Sequence, residues 1–161
     1  MEILHATAED IGGILEIYNQ GIEDRIATLD TDQKTLQYMT DWFNQRENRY
    51  AVIVAKEAGY VVGWCALNPY NQRCAYAGVG DPSVYVRRNQ RGKGIGEQLM
   101  RRIIDIAKDN DFHKLVLATL AINLRAQQLY KKIGFREVGV YHRQGIIEGN
   151  FVDVMIMELL F

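Results

Sequence analysis

The chain has 161 residues, is 48% hydrophobic and 24% charged, and carries a formal net charge of −1 with only two prolines; this describes one soluble globular domain, residues 1–161, with apolar mass for a single core. The balanced charge gives no basic field for nucleic acid, and no apolar run approaches the ~20 residues that cross a bilayer, so neither nucleic acid nor membrane is an expected partner. Cys65 and Cys74 are not spaced as a metal or redox pair, and "MEILHATAED" lacks the order of a signal peptide, so a cytoplasmic protein without a metal site is expected.

The first predicted element is a helix. Thr7 is its candidate N-cap with an acid three residues on, and Ile11, Ile14, Leu15, Tyr18 and Ile22 follow at helical spacing. A second helix is predicted from near Thr31, with Leu36, Met39, Trp42 and Phe43 on one side; the polar stretch "EDRIATLDT" between them has no period. "YAVIVAKEAGYVVGWCAL" reads as a hairpin turning at Glu57 to Gly59, and "NPYNQRCAYAGVGDP" as a loop. "SVYVRR" is a strand, and from Gly94 an apolar stripe of Ile95, Leu99, Ile103, Ile106 and Ala107 marks a third helix. "KLVLATLA" is a strand, "NLRAQQLYKKI" a helix capped by Asn123 and stopped by Gly134. A strand "FREVGV", a turn-rich segment and a last strand "FVDVMIMEL" complete the chain. The order α-α-β-β-β-α-β-α-β-β predicts an α/β fold with a mixed sheet covered on both faces.

The stretch "VYVRRNQRGKGIG" joins a strand to a helix through a basic turn with three glycines. It is neither a dinucleotide fingerprint, which needs glycine at Glu97 or Leu99, nor a P-loop, because Gly94 follows Lys93. What remains is Arg-x-x-Gly-x-Gly. Free amides at a helix start, glycines that admit a ligand, and the charges of Arg91 and Lys93 suit a pyrophosphate. A plain glycine-rich connection with a solvated basic edge is the alternative. Downstream, "NLRAQQLYKKIGF" supplies Asn-x-x-Ala-x-x-x-Tyr-x-x-x-Gly-Phe.

These two segments, in this order on strand-helix-strand-helix, resemble the acetyl-CoA-binding motifs of the GNAT superfamily of N-acetyltransferases. "IYNQGIEDRIATLDT", "NPYNQRCAYAG" and "GVYHRQGIIEGNFVDVMIMEL" resemble the phosphinothricin-type group, which also acetylates methionine sulfone, methionine sulfoximine and arsinothricin. The resemblance implies a GNAT fold with a central mixed sheet splayed at the fourth strand. It implies acetyl-CoA as co-substrate, a small-molecule amine as acceptor, and a homodimer.

Carried residue by residue, it implies that Arg91, Gly92, Lys93, Gly94, Ile95 and Gly96 hold the pyrophosphate. Val84, Tyr85 and Val86 would bond the pantetheine arm as another strand would, and the N–H of Tyr85 or Val86 would face the oxyanion. Asn123 would bond the pantetheine, or serve only as an N-cap. Tyr130, where phosphinothricin-type members often have His, would protonate the leaving thiolate; its other reading is a core aromatic. Asp81, where similar enzymes usually carry Glu, would be the base, directly or through water; its other reading is a turn former in "GDP", which would leave a water chain or Tyr85. Arg73 and Tyr76 would bind the acceptor, since a bidentate Arg suits a carboxylate or phosphinate. Arg25, Thr28 and His142 are further candidates for that site. Neither cysteine falls in a site motif, so direct attack in a ternary complex is expected. The competing expectations are a protein or polyamine acetyltransferase and a catalytically silent acyl-CoA-binding domain.

Overall fold

The computed structural model describes residues 1–161. Its seven-stranded sheet has the order β1-β2-β3-β4-β5-β7-β6. In chain order the elements are β1 (Glu2–His5), α1 (Ile11–Glu23), α2 (Leu36–Asn44), β2 (Val52–Glu57), β3 (Tyr60–Pro69) and β4 (Val79–Val86). There follow α3 (Ile95–Asp109), β5 (Lys114–Leu120), α4 (Leu124–Ile133), β6 (Arg136–Ile147) and β7 (Asn150–Leu160). All neighbouring strands are antiparallel except β4 and β5.

The expected α/β fold is present, with helices on both faces. The α3 stripe of Leu99, Met100, Ile103 and Ala107 buries against Ile53, Cys65, Leu67, Leu115 and Met157 on one face of the sheet. Ile11, Ile14 and Ile17 of α1, with Met39 of α2, bury against Val52, Val54, Trp64 and Ala66 on the other. Adjacent β2 residues serve opposite layers, as the period of two requires. A Leu or Ile removed from either layer costs about 2–5 kcal/mol.

Four readings of the sequence need correction. "EILH" is a strand, β1, paired in register with β2; four residues are too few for a periodic signal. The second helix starts at Leu36 rather than near Thr31, because Thr35 is the N-cap, its hydroxyl accepting from the Tyr38 amide at 3.1 Å. The turn-rich segment after "FREVGV" belongs to β6, a 12-residue strand with two register shifts, and it turns into β7 at Glu148 and Gly149 with φ of 50° and 78°. Finally, "VGDP" is not loop but the first half of β4.

That last point explains how the sheet opens. β4 and β5 pair only at Val79 with Lys114 and Gly80 with Leu115. The Arg87 amide donates to the Val62 carbonyl at 2.8 Å, which sets the phase of the β3–β4 ladder. Odd-numbered amides of β4 face β3, and even-numbered positions face β5. The next even position is Pro82, which has no N–H to offer. The ladder stops there and the strands part.

Candidate active site

The parting of β4 from β5 opens a cleft of about 490 Å³, in the size range of small-molecule sites. Asp81 to Val86 form one wall, Ala118 to Leu120 of β5 the other. The start of α3 closes one end, and Ala27 to Asp30 of the α1–α2 connection also line the cleft. Asn123, Arg125, Ala126, Leu129 and Tyr130 of α4 complete it.

At the α3 end the site is built from backbone. Gly92 and Gly94 have φ of 82° and 81°, a left-handed conformation that costs a residue with Cβ about 1–2 kcal/mol. The amides of Arg91, Gly92 and Gly94 have no backbone acceptor, and the first bond of α3 runs from the Gln98 amide to the Gly94 carbonyl at 3.2 Å. The Ile95, Gly96 and Glu97 amides are therefore open, at the positive end of the helix dipole. This cradle fits an anion such as a pyrophosphate.

The basic side chains are arranged differently from a simple cationic patch. Arg91 turns back to the Val86 carbonyl (3.2 Å) and to Asp24 (2.6 Å), and Arg88 also pairs with Asp24 (2.8 Å). These pairs brace the turn against the end of α1. Lys93 reaches Gln90 (2.9 Å) and does not line the cleft. Arg125, which sequence reasoning missed, does line it; a Cβ on Gly92 would lie 2.8 Å from its guanidinium. Nothing in the sequence distinguishes Arg125 from other helix-surface arginines, because only the fold brings α4 over the glycine turn.

Along β4 the two faces separate two tasks. Val84 and Val86 pack toward α3 and α4, while Tyr85 packs with the α1–α2 layer. With two-residue alternation, Asp81, Ser83 and Tyr85 share that second face. The ladder phase gives the Tyr85 amide to β3 and leaves the Val84 and Val86 amides directed into the slot. Of the two amides expected from the sequence to face an oxyanion, Val86 is the one with the free direction.

Asp81 is half-buried, and no hydrogen bond reaches its carboxylate; Asn68 holds only its backbone carbonyl, at 3.0 Å. Burial pushes its pKa up to about 7. Tyr130 is buried against Phe135, with ring centroids 5.8 Å apart, so it is both a core aromatic and a cleft residue. Burial, with the nearby Tyr85, Cys65 and Asp81, drives its pKa above the ordinary tyrosine value. It therefore stays protonated and can donate. Tyr85 is likewise raised to about 12, chiefly by burial.

Asn123 takes the N-cap role and also stands at the cleft. Its Oδ1 accepts from the Ala126 amide (3.1 Å) as the α4 N-cap, its Nδ2 donates to the Ile26 carbonyl (3.2 Å), and it lines the cleft. Thr28 lines the cleft and accepts from the Asp30 amide at 3.2 Å. Asp30, also missed from sequence, lines it too and accepts from the Tyr18 hydroxyl. Four other expected residues lie apart from the cleft. Arg73 and Tyr76 are exposed on the β3–β4 connection, with Tyr76 edge-on to Tyr70. Arg25 pairs with Glu148 at 3.3 Å, and exposed His142 meets Asp153 at 3.1 Å.

Comparison with known proteins agrees with this architecture. Residues 15–135 match the Acetyltransferase (GNAT) family. The chain belongs to that family. An L-methionine sulfoximine/L-methionine sulfone acetyltransferase of Pseudomonas aeruginosa is 31% identical over 159 residues, covering 98% of this chain and 92% of that one. A phosphinothricin N-acetyltransferase of Streptomyces coelicolor is 27% identical, covering 98% and 95%. Among solved structures, a ribosomal-protein-alanine N-acetyltransferase from Brucella melitensis superposes with a TM-score of 0.96 at 31% identity, covering 100% of both chains. A GNAT phosphinothricin acetyltransferase from Sinorhizobium meliloti, solved in complex with acetyl-CoA, shares the fold with a TM-score of 0.94 at 24% identity, covering 99% and 88%.

Proposed function

We propose that this GNAT protein transfers acetyl from acetyl-CoA to the α-amine of a small amino-acid-like acceptor, by direct attack in a ternary complex. The observation that carries the reading is the position of Asp81, a carboxyl with a pKa near 7, on the strand that opens the sheet beside a turn of free amides. The acceptor class is supported by the names of relatives that align along nearly the whole chain.

Acetyl-CoA would supply an activated acyl thioester; the protein's residues do the rest. The amides from Arg91 to Gly96 hold the pyrophosphate, with Arg125 adding charge. Val84 and Val86 bond the pantetheine across the slot, and Asn123 bonds it from α4. Asp81, ionised, takes the proton of the acceptor ammonium, directly or through one water, and frees the lone pair that attacks. The Val84 amide, open to the slot three residues from Asp81, stabilises the oxygen that gains charge, whereas Val86 lies beside Gly96 at the pyrophosphate cradle. Tyr130 gives its proton to the departing sulfur. A general acid and a general base typically contribute 10²–10⁴-fold each. Thr28 lines the approach of the acceptor.

A cytoplasmic location goes with this reading, and so does a homodimer, supported by Val138, Val140 and Tyr141 exposed on the outer strand β6. A second reading, acetylation of a protein N-terminus, is favoured by the name of the Brucella melitensis neighbour. The test is thiol release from acetyl-CoA with methionine sulfone, phosphinothricin, arsinothricin, spermidine and an alanyl peptide. Turnover confined to the amino acids supports the proposal. Turnover confined to spermidine or the peptide overturns it.

A further inference from the structure

A second cavity of about 140 Å³ lies on the α1–α2 side of β4. It is below the roughly 300–1,000 Å³ of a site that takes a whole ligand, so it suits one part of a ligand. Aromatic rings make most of its wall: Tyr18, Tyr38, Trp42, Trp64 and Tyr85. Trp64 stacks on Tyr85 with centroids 5.0 Å apart and meets Tyr18 and Trp42 edge to face. Ser83 and Tyr85 also line the main cleft, and Asp81 lies two residues from Ser83 on the same strand face, about 7 Å along the strand. An amino acid with its amine at Asp81 would aim its side chain here.

No charged side chain lines this cavity. The nearest cations lie outside its aromatic wall. Arg46 stacks on Trp42 at 4.6 Å and gives its donors to Tyr50, Leu67 and Asn68. Lys34 lies over Tyr38 at 4.8 Å and within 4.0 Å of Asp30. The polar offering is small: Ser83 Oγ accepts from Asn68 at 3.1 Å, which leaves its O–H to donate, while the Tyr18 hydroxyl is given to Asp30. A phosphinate or arsonate placed here would lose water without gaining an ionic partner, which is costly. A neutral, polarisable side chain would gain ring contacts, and an oxo oxygen could accept from Ser83.

We infer that this aromatic cavity is the acceptor's side-chain pocket, and that it selects neutral, methionine-sized side chains over anionic ones. The inference rests on the proposed acetylation of amino acids, and the experiment separates the two. Wild type should use L-methionine sulfone with a kcat/KM at least about tenfold above that for phosphinothricin. Tyr38 is 50% exposed at the cavity wall, so Tyr38→Arg should fold. It should shift the ratio toward phosphinothricin by about tenfold or more, because the new cation can pair with the phosphinate, with unchanged acetyl-CoA affinity. Equal or better use of phosphinothricin by wild type overturns the pocket while leaving amino-acid acetylation standing. An unshifted ratio in the folded variant does the same. Transfer to no amino acid at all overturns both.

Discussion

Two parts of the cleft are built by different means. The α3 end uses backbone: left-handed glycines, open amides and a helix start, braced from behind by Asp24. The part proposed for the acceptor uses side chains from three separate segments: Asp30 of the α1–α2 connection, Asp81 and Tyr85 of β4, and the rings of α2. A backbone site tolerates change in most surrounding residues but no added Cβ at its glycines. A side-chain site can change ligand through one substitution. The contrast explains why one protein family can keep its cofactor while its acceptors vary.

The largest effect should come from breaking the backbone site. A Cβ at Gly96 would make ordinary contacts with Leu129 (3.5 Å) and Val86 (3.6 Å), so Gly96→Val should fold. Its γ-carbons would crowd the cradle. Calorimetric titration should show acetyl-CoA affinity reduced roughly 100-fold, about 2.7 kcal/mol. Unchanged affinity would remove the α3 turn from the cofactor site. Gly94 differs: its Cβ would meet nothing within 4 Å, and its φ of +81° is what a side chain would strain.

Tyr130→Phe sharpens the contrast from the other direction. It should lower kcat about 100-fold with acetyl-CoA affinity within twofold of wild type. A loss of affinity in place of kcat would return Tyr130 to core packing.

Asp81 makes a stability prediction of unusual sign. Its folded pKa, about 7, lies above the unfolded 3.8. Between those values the native state binds more protons than the unfolded chain, so stability falls as pH rises from about 4 to 7. Asp81→Asn removes the buried charge. It should stabilise the protein at pH 8 by on the order of 1–2 kcal/mol and change little at pH 4. Urea unfolding at the two pH values measures this, and equal effects at both would contradict the raised pKa.

The smallest effect concerns the brace. Asp24→Asn weakens its pairs with Arg88 and Arg91, exposed or partly exposed interactions that solvent screens. The KM for acetyl-CoA should rise by roughly two- to fivefold with kcat unchanged. A loss as large as that of Gly96→Val would mean that side chains, not backbone, hold the turn.

The same contrast decided what the sequence could tell. The glycine turn and the α3 stripe were legible because backbone demands and periodicity are local. "GDP" was misleading. In isolation it marks a turn, but within the sheet Pro82 falls at the one position where a missing N–H ends the ladder with β5. Asp30, Arg125 and the aromatic cavity were not legible, since each depends on segments far apart in the chain. Tyr18, Trp42 and Trp64 read only as core positions, which they also are.

The central claim is that Asp81 accepts the acceptor's proton beside the opened strand. The most direct measurement is a pair of pH profiles of kcat/KM for the amine, wild type against Asp81→Asn, with circular dichroism on both proteins. Wild-type activity should rise with pH through about 7 as the carboxyl ionises. The variant should lose that limb, fall furthest near neutral pH and recover partly as the amine deprotonates unaided. A folded variant whose profile overlays the wild type would contradict the account.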